Sequence, residues 1–218
     1  MLDIHVGHVT GDHLAPAAAS RWRPTPGRLF QLLVGLWLFG TGEGLIVLAG
    51  LGNSPWTVLA QGVSVQTPLS IGAATIVISA IVVAAWSVMR QAPGLGTVLN
   101  AVLVGIAIDV TIEVVPSPSG LWRAVALLGG IGLVALASGL YLTARLGPGP
   151  RDGLMTGLVR RTGRSFRAVR VTIELSALLI GALLGGTVGI GTVAFALLIG
   201  PGVQAMLGAM GQHGAEHL

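Results

Sequence analysis

The chain has no cysteine among its 218 residues, which removes disulfides, thiolate metal sites and cysteine nucleophiles together. Charge is nearly as scarce: charged residues make up 9% of the sequence and aromatics 5%. Lysine is absent, so all twelve basic residues are arginine. What fills the space is apolar. Hydrophobic residues account for 53% of the chain, glycine contributes 34 positions, and the mean hydropathy is +0.85. That balance lies outside the range of soluble domains.

Apolar runs fall near 29–51, 69–89, 95–115, 122–145, 171–188 and 191–211. A hydrocarbon core of ~30 Å needs about 20 helical residues, so each run is long enough to span it. Without water to satisfy the backbone, helices are the default for runs this continuous. The expectation is an all-α membrane protein with six transmembrane helices. The arginines orient it. Arg21, Arg23 and Arg28 precede the first run, Arg90 follows the second, and Arg145, Arg151, Arg160, Arg161, Arg164, Arg167 and Arg170 fall around the fourth and fifth. Arg123 alone would lie on the opposite side, so the positive-inside rule places both termini in the cytoplasm. The sequence pI near 11.3 then reflects topology, and a nucleic-acid partner is not expected.

An internal repeat organises the chain. Residues 35–109 align without a gap to residues 130–204 at a constant offset of 95. Leu51-Gly52-Asn53-Ser54-Pro55 faces Leu146-Gly147-Pro148-Gly149-Pro150, and Gly94-Leu95-Gly96-Thr97-Val98 faces Gly189-Ile190-Gly191-Thr192-Val193. Each copy would carry three spans, repeat 1 about 29–115 and repeat 2 about 121–211. Three is odd, so the second copy enters from the other side and the repeat is inverted, a plan common among secondary transporters. The expected domains are a flexible cytoplasmic arm over 1–27, one transmembrane domain over 28–211 and a tail over 212–218.

Between the first and second spans of each copy lies a shorter segment, Asn53–Ser64 and Pro148–Val159. Each opens with a helix-start signal, Ser54-Pro55 or Gly149-Pro150. The segments read either as re-entrant half-helices whose N-terminal dipoles attract an anion or as interfacial helices lying on the membrane. Arg151, Asp152, Arg160 and Arg161 lean the second copy toward the interface.

Charge at depth marks the candidate site. Glu43, Asp109, Glu113 and Glu174 fall within the spans, where an ionised group costs at least ~2.5 kcal/mol unless paired, solvated or protonated. The offset aligns Asp109 with Gln204 and Glu43 with Ser138, so polarity persists across the repeat. Glu43, Asp109, Gln204, Glu174 and Asn100 are therefore the candidate substrate or proton residues, with Ser54, Pro55, Gly149 and Pro150 at the half-helix starts. Asn100 lies half a turn round its helix from Asp109, so it serves a different contact. Glu174 follows Arg170 by four residues, which offers it an intrahelical ion pair. Glu43 and Asp109 have only Arg123 on their side. His5, His8, His13, His213 and His217 sit in the termini and read as part of flexible arms. The spacings of three and five among His5, His8 and His13 near Asp12 offer at most a weak divalent-metal site, and no catalytic trio or cofactor motif is visible, so no enzyme, cofactor or metal is expected.

The segments around Leu51–Leu59, Gly94–Asn100, Gly105–Asp109 and Leu146–Met155 resemble the bacterial YczE/YyaS/YitT-like membrane protein family. Arg160-Arg161-Thr162-Gly163 and Val169-Arg170 with Glu174 carry the same likeness, which extends over residues 30–205. The resemblance implies a multi-pass protein of the bacterial inner membrane and carries over no catalytic or ligand residue. The functional expectation is a small-solute transporter or channel-like permease of unknown substrate. The alternative is a non-transporting scaffold or regulator of a partner. The lipid bilayer is the expected environment, and six spans with little soluble mass suit a homodimer.

Overall fold

The computed structural model describes residues 21–210, and the terminal histidines and most of the expected arm and tail lie outside them. Eight helices follow in order: α1 Pro26–Ala49, α2 Pro55–Gln66, α3 Ile71–Met89, α4 Leu95–Val114, α5 Leu121–Thr143, α6 Pro150–Thr162, α7 Phe166–Leu183 and α8 Ile190–Ala209. No strand occurs among the described residues. The starts of α1 to α4 recur at α5 to α8 with the same offset of 95.

Local chemistry sets the boundaries. Pro26, Pro55 and Pro150 open their helices at the first position, where a missing N–H costs nothing. Ser70 and Ser165 cap α3 and α7 by accepting from the N–H groups of Ala73 and Ala168 at 3.0 and 3.3 Å. The fifth apolar run, expected over 171–188, folds differently. Helix α7 begins at Phe166 behind the Ser165 cap and stops at Leu183 before Gly185, whose φ is +99°. That shift draws Arg167 and Arg170 into the helix beside Glu174. Five helices, α1, α3, α4, α5 and α8, are consequently long and apolar enough to cross a membrane. The proline at 201 does not divide α8, which continues through it.

Helices α1 and α5 form the centre and run antiparallel. Gly35 packs against Ala137 and Leu140, Gly42 packs against Gly130 and Val134, and the Arg123 side chain reaches the end of α1. Each of these helices is capped by an arginine from the start of the other. Arg28 Nε donates to the Ala144 carbonyl at 2.9 Å, and Arg123 Nε donates to the Ala49 carbonyl at 2.7 Å. Their terminal nitrogens reach the next carbonyls, Arg145 and Gly50, at 3.2 and 2.7 Å. Cations that bond terminal carbonyls also complement the helix dipole. Arg28 and Arg123 are themselves 95 apart, so the repeat extends beyond residues 35–109 into its own clamps. Arg123 is thereby committed to α1 and pairs with neither Glu43 nor Asp109.

The two halves also exchange their loops. The Leu51 carbonyl accepts from Gly191 N–H at 2.7 Å, and the Leu146 carbonyl accepts from Gly96 N–H at 2.9 Å. Each bond satisfies an orphan donor at the start of α8 or α4. Gly52 and Gly147 make these crossings possible at φ +111° and +119°, a backbone region that side chains disfavour. The short helices cross over too. Helix α2 docks on α7, where Gly62 meets Gly181, and α6 docks on α3, where Gly153 faces the Trp86 ring. A Cβ at Gly153 would lie 1.9 Å from that ring, so nothing larger than glycine fits.

The outward faces are apolar. Val77, Ile81, Leu128, Leu179 and Leu197 are all exposed, a surface that a soluble monomer would not carry and a bilayer would cover.

Candidate functional site

Helix α1 carries Glu43 on its inward face, and the residue is 2% exposed. Its Oε2 accepts from the hydroxyls of Ser54 and Thr57, both at 2.8 Å. Those donors come from the first turn of α2, which the Leu51–Asn53 crossing brings back against α1. Asn53 is also buried, and its amide donates to Gln61 at 2.8 Å.

Opposite this cradle, α6 presents Arg151 and Asp152 in its first turn. The guanidinium of Arg151 lies over the Phe39 ring at 5.3 Å, one turn before Glu43 on α1. Its contact with Asp152 is long, 3.9 Å from Nε to Oδ1. Asp152 accepts instead from the Tyr141 hydroxyl of α5, and Tyr141 packs edge-on against Phe39. Burial opposes the Arg151 charge, but the oxygens of Asp152, Tyr141, Glu43 and Glu174 outweigh it and raise its pKa above the ordinary arginine value. The side chain stays a cation.

Glu43, Trp56, Thr57, Asn100, Arg151 and Asp152 line a first cavity of about 70 Å³. A second, of about 220 Å³, holds Ser138, Glu174, Arg170 and Gln204. Tyr141, Arg151 and Asp152 belong to the walls of both, so these three side chains form a polar septum between two chambers. A third cavity of about 420 Å³ opens between α7 and α8 and shares Arg170, Glu174, Ile199 and Gly200 with the second.

The sequence-derived candidates therefore divide. Glu43 and Asn100 meet in the first chamber, together with Gly149 and Pro150. Glu174 and Gln204 meet in the second, Gln204 with much of its surface exposed. Glu174 also makes the intrahelical pair with Arg170, at 3.1 Å. Of the α2 start, Ser54 reaches Glu43 and Pro55 lines the third cavity. Asp109 belongs to none of these walls. It accepts from the Ser70 hydroxyl at 2.5 Å and from the Gly72 N–H at 2.8 Å, binding the start of α3 to α4. Tyr141, Arg151 and Asp152 were not among the candidates. The offset would have flagged two of them, because Arg151 and Asp152 align with Trp56 and Thr57 and bring charge where the first copy has none.

Described residues that fold only into helices, five of them of membrane length, with an apolar exterior and ionisable groups around internal cavities, make this an integral membrane protein. The chain belongs to the family described as Family of unknown function (DUF6198), whose model matches residues 27–207. It is similar to an uncharacterized protein of Haemophilus influenzae, 44% identical over 88% of each chain. It is also similar to the uncharacterized membrane protein YczE of Bacillus subtilis, 34% identical over 78% of this chain and 84% of that one. A third relative, YyaS of Bacillus subtilis, is 27% identical over 73% of this chain and 82% of its own length. No solved structure matches.

Proposed function

We propose that this protein is a small-solute transporter of the bacterial inner membrane, built from two inverted three-helix units that each carry a short half-helix. The observation that carries the reading is the pair of chambers, each with ionisable side chains in a mostly apolar wall, separated by Tyr141, Arg151 and Asp152. A scaffold gains nothing from charged groups around empty space, which cost free energy unless a solute or water meets them. In a carrier, such a septum divides two half-paths, and its rearrangement exposes the site to either side in turn.

The inverted arrangement draws support from the antiparallel seating of α1 on α5 and from the reciprocal arginine caps. Helix α7 is the sixth crossing in this reading. Its 18 residues give about 27 Å of helix, and Glu174 neutralises Arg170 along the way. Both short helices start at depth in this reading, because their first turns reach the central helices α1 and α5.

Reconstitution into liposomes tests the function. Light-scattering swelling with a panel of small polar solutes should show a saturable flux absent from protein-free vesicles. Tyr141→Phe, which removes the hydroxyl that binds Asp152, should change that flux at least threefold while the protein stays folded. Vesicles that remain impermeant to every solute in the panel would defeat the reading. Orientation is checked separately with single cysteines on this cysteine-free background. Cysteine at position 117 should react with an impermeant reagent from outside the cell, and cysteine at 164 should react only after permeabilisation; the reverse pattern overturns the topology.

A further inference from the structure

Three ionisable groups face the first chamber, Glu43, Arg151 and Asp152; the Tyr141 hydroxyl takes up Asp152, which leaves Glu43 and Arg151 facing one another without touching. Among the described residues the ion pairs are Arg151–Asp152 and Arg170–Glu174, so Glu43 and Arg151 stand more than 4.0 Å apart. They are nevertheless near neighbours across the cavity, since Arg151 lies over Phe39 and Phe39 precedes Glu43 by one turn of α1. One turn is about 5.4 Å. Glu43 is 2% exposed and both its hydrogen bonds fall on Oε2, which leaves Oε1 without a bonded partner among the described residues. Trp56 Nε1, on the wall of the same chamber, also has no partner among them. Arg151 and Asp152, on the wall of the same chamber, belong to the first turn of α6, whose N–H groups no helical carbonyl can reach.

A chamber of this kind discriminates by charge pattern. A cation would satisfy Glu43 and be repelled by Arg151, and an anion would meet the converse. A neutral polar solute would leave both charges poorly solvated. A dipolar solute satisfies both at once, its positive end at Glu43 and its negative end at Arg151 and the start of α6, where the helix dipole adds to the attraction. Size narrows the class further. About 70 Å³ of room holds about five waters, at ~10–15 Å³ for each. That fits a molecule with an ammonium and a carboxylate on one carbon and little else.

We infer that the chamber between Glu43 and Arg151 binds a small zwitterion, namely an α-amino acid with a short side chain such as glycine or alanine. The ammonium bonds Glu43 Oε1, the carboxylate bonds the Arg151 guanidinium, and Trp56 Nε1 and Asn100 contribute the remaining polar contacts. Val104 and Ile108 add apolar wall beside the site, and the volume of about 70 Å³ is what disfavours longer side chains. The inference rests on reading this chamber as a solute site, but binding does not require that the protein also carry the solute across.

Isothermal titration of the purified full-length protein tests it with five probes: glycine, L-alanine, L-phenylalanine, acetate and methylammonium. Glycine and L-alanine should bind at least tenfold more tightly than either single-charge analogue, and L-phenylalanine should not compete. Glu43→Gln should weaken glycine at least tenfold and leave acetate within threefold, because only the ammonium partner is lost. Should that variant unfold, the analogue series on the wild-type protein still decides. The proposal is overturned if acetate or methylammonium matches glycine, if neither amino acid binds, or if folded Glu43→Gln binds glycine unchanged. Uptake by proteoliposomes separates the two readings. Glycine binding without uptake keeps the zwitterion site and defeats transport, while flux of a single-charge solute without glycine binding does the opposite.

Discussion

Helices α3 and α4 pack closely, whereas their repeat mates α7 and α8 stand apart, and two substituted positions among the aligned residues go with the contrast. Gly72 meets Gly105 so tightly that a Cβ on Gly72 would lie 2.1 Å from the Gly105 carbonyl oxygen. The aligned residues are Arg167 and Gly200, and a Cβ on Gly200 would meet nothing within 4 Å. Asp109 then ties α4 to the start of α3 through Ser70 and Gly72, while its mate Gln204 faces a cavity. Small residues permit close approach and polar bonds hold it; the second half keeps Gly200 but has Arg167 in place of Gly72 and Gln204 in place of Asp109. Helix α7 carries Arg167, Arg170 and Glu174 along an open cleft of about 420 Å³. The frame that holds the halves together, by contrast, is nearly identical in both copies. The reciprocal Arg28 and Arg123 caps and the Leu51 and Leu146 crossings show it. The two halves share the frame and differ in one helix pair.

The largest effect should come from importing the second half's residue into the first. Gly72→Arg forces a side chain into a contact with no room, and overpacking of this kind costs about 3 kcal/mol or more. Thermal unfolding in detergent should show a large drop in midpoint or no folded protein; a drop within experimental error would mean that Gly72 does not hold the pair together. Next in size, Asp109→Ala leaves the Ser70 hydroxyl and the Gly72 N–H without their acceptor. About 1–2 kcal/mol of stability should be lost, measured by steric trapping or by denaturation in mixed micelles. Asp109→Asn should recover part of it, since an amide oxygen still accepts.

A matched pair isolates the packing difference. Gly105→Ala places a Cβ 2.5 Å from the Gly72 carbonyl oxygen and should cost about 1–3 kcal/mol. Gly200→Ala, in open space, should be neutral or gain up to about 1 kcal/mol from helix propensity. Equal effects at the two positions would erase the contrast between the helix pairs. Smallest of all, Arg167→Ala removes an exposed side chain and should move stability by no more than about 0.5 kcal/mol. A loss well above that would reveal Arg167 as a structural member of α7.

Much of the molecule could be read in the linear chain. Membrane-length helices follow from apolar runs, because a helix is the structure that satisfies its own backbone in lipid. The offset of 95 was visible in Gly and Pro positions and recurs at every helix start. The short helices were expected at Ser54-Pro55 and Gly149-Pro150, where α2 and α6 begin. The arginine pair at the ends of α5 and α1 escaped notice, because the apolar alignment around them is weak and their bonds run to carbonyls more than seventy residues away.

The site divides along the same line. Glu43 stood out as an acid within an apolar run, and polarity at depth is a local property that composition exposes. That Glu43 should face Arg151, and that Asp109 should instead fasten α3 to α4, depended on which faces the helices turn to one another. Those faces are set by glycine contacts and crossed loops between distant segments. Sequence alone determined the environment, the helices and the duplicated frame, because each rests on local composition or on self-similarity. Tertiary structure alone decided which charges share a chamber and which helix pair opens, because close packing is a matter of ångströms between residues far apart in the chain.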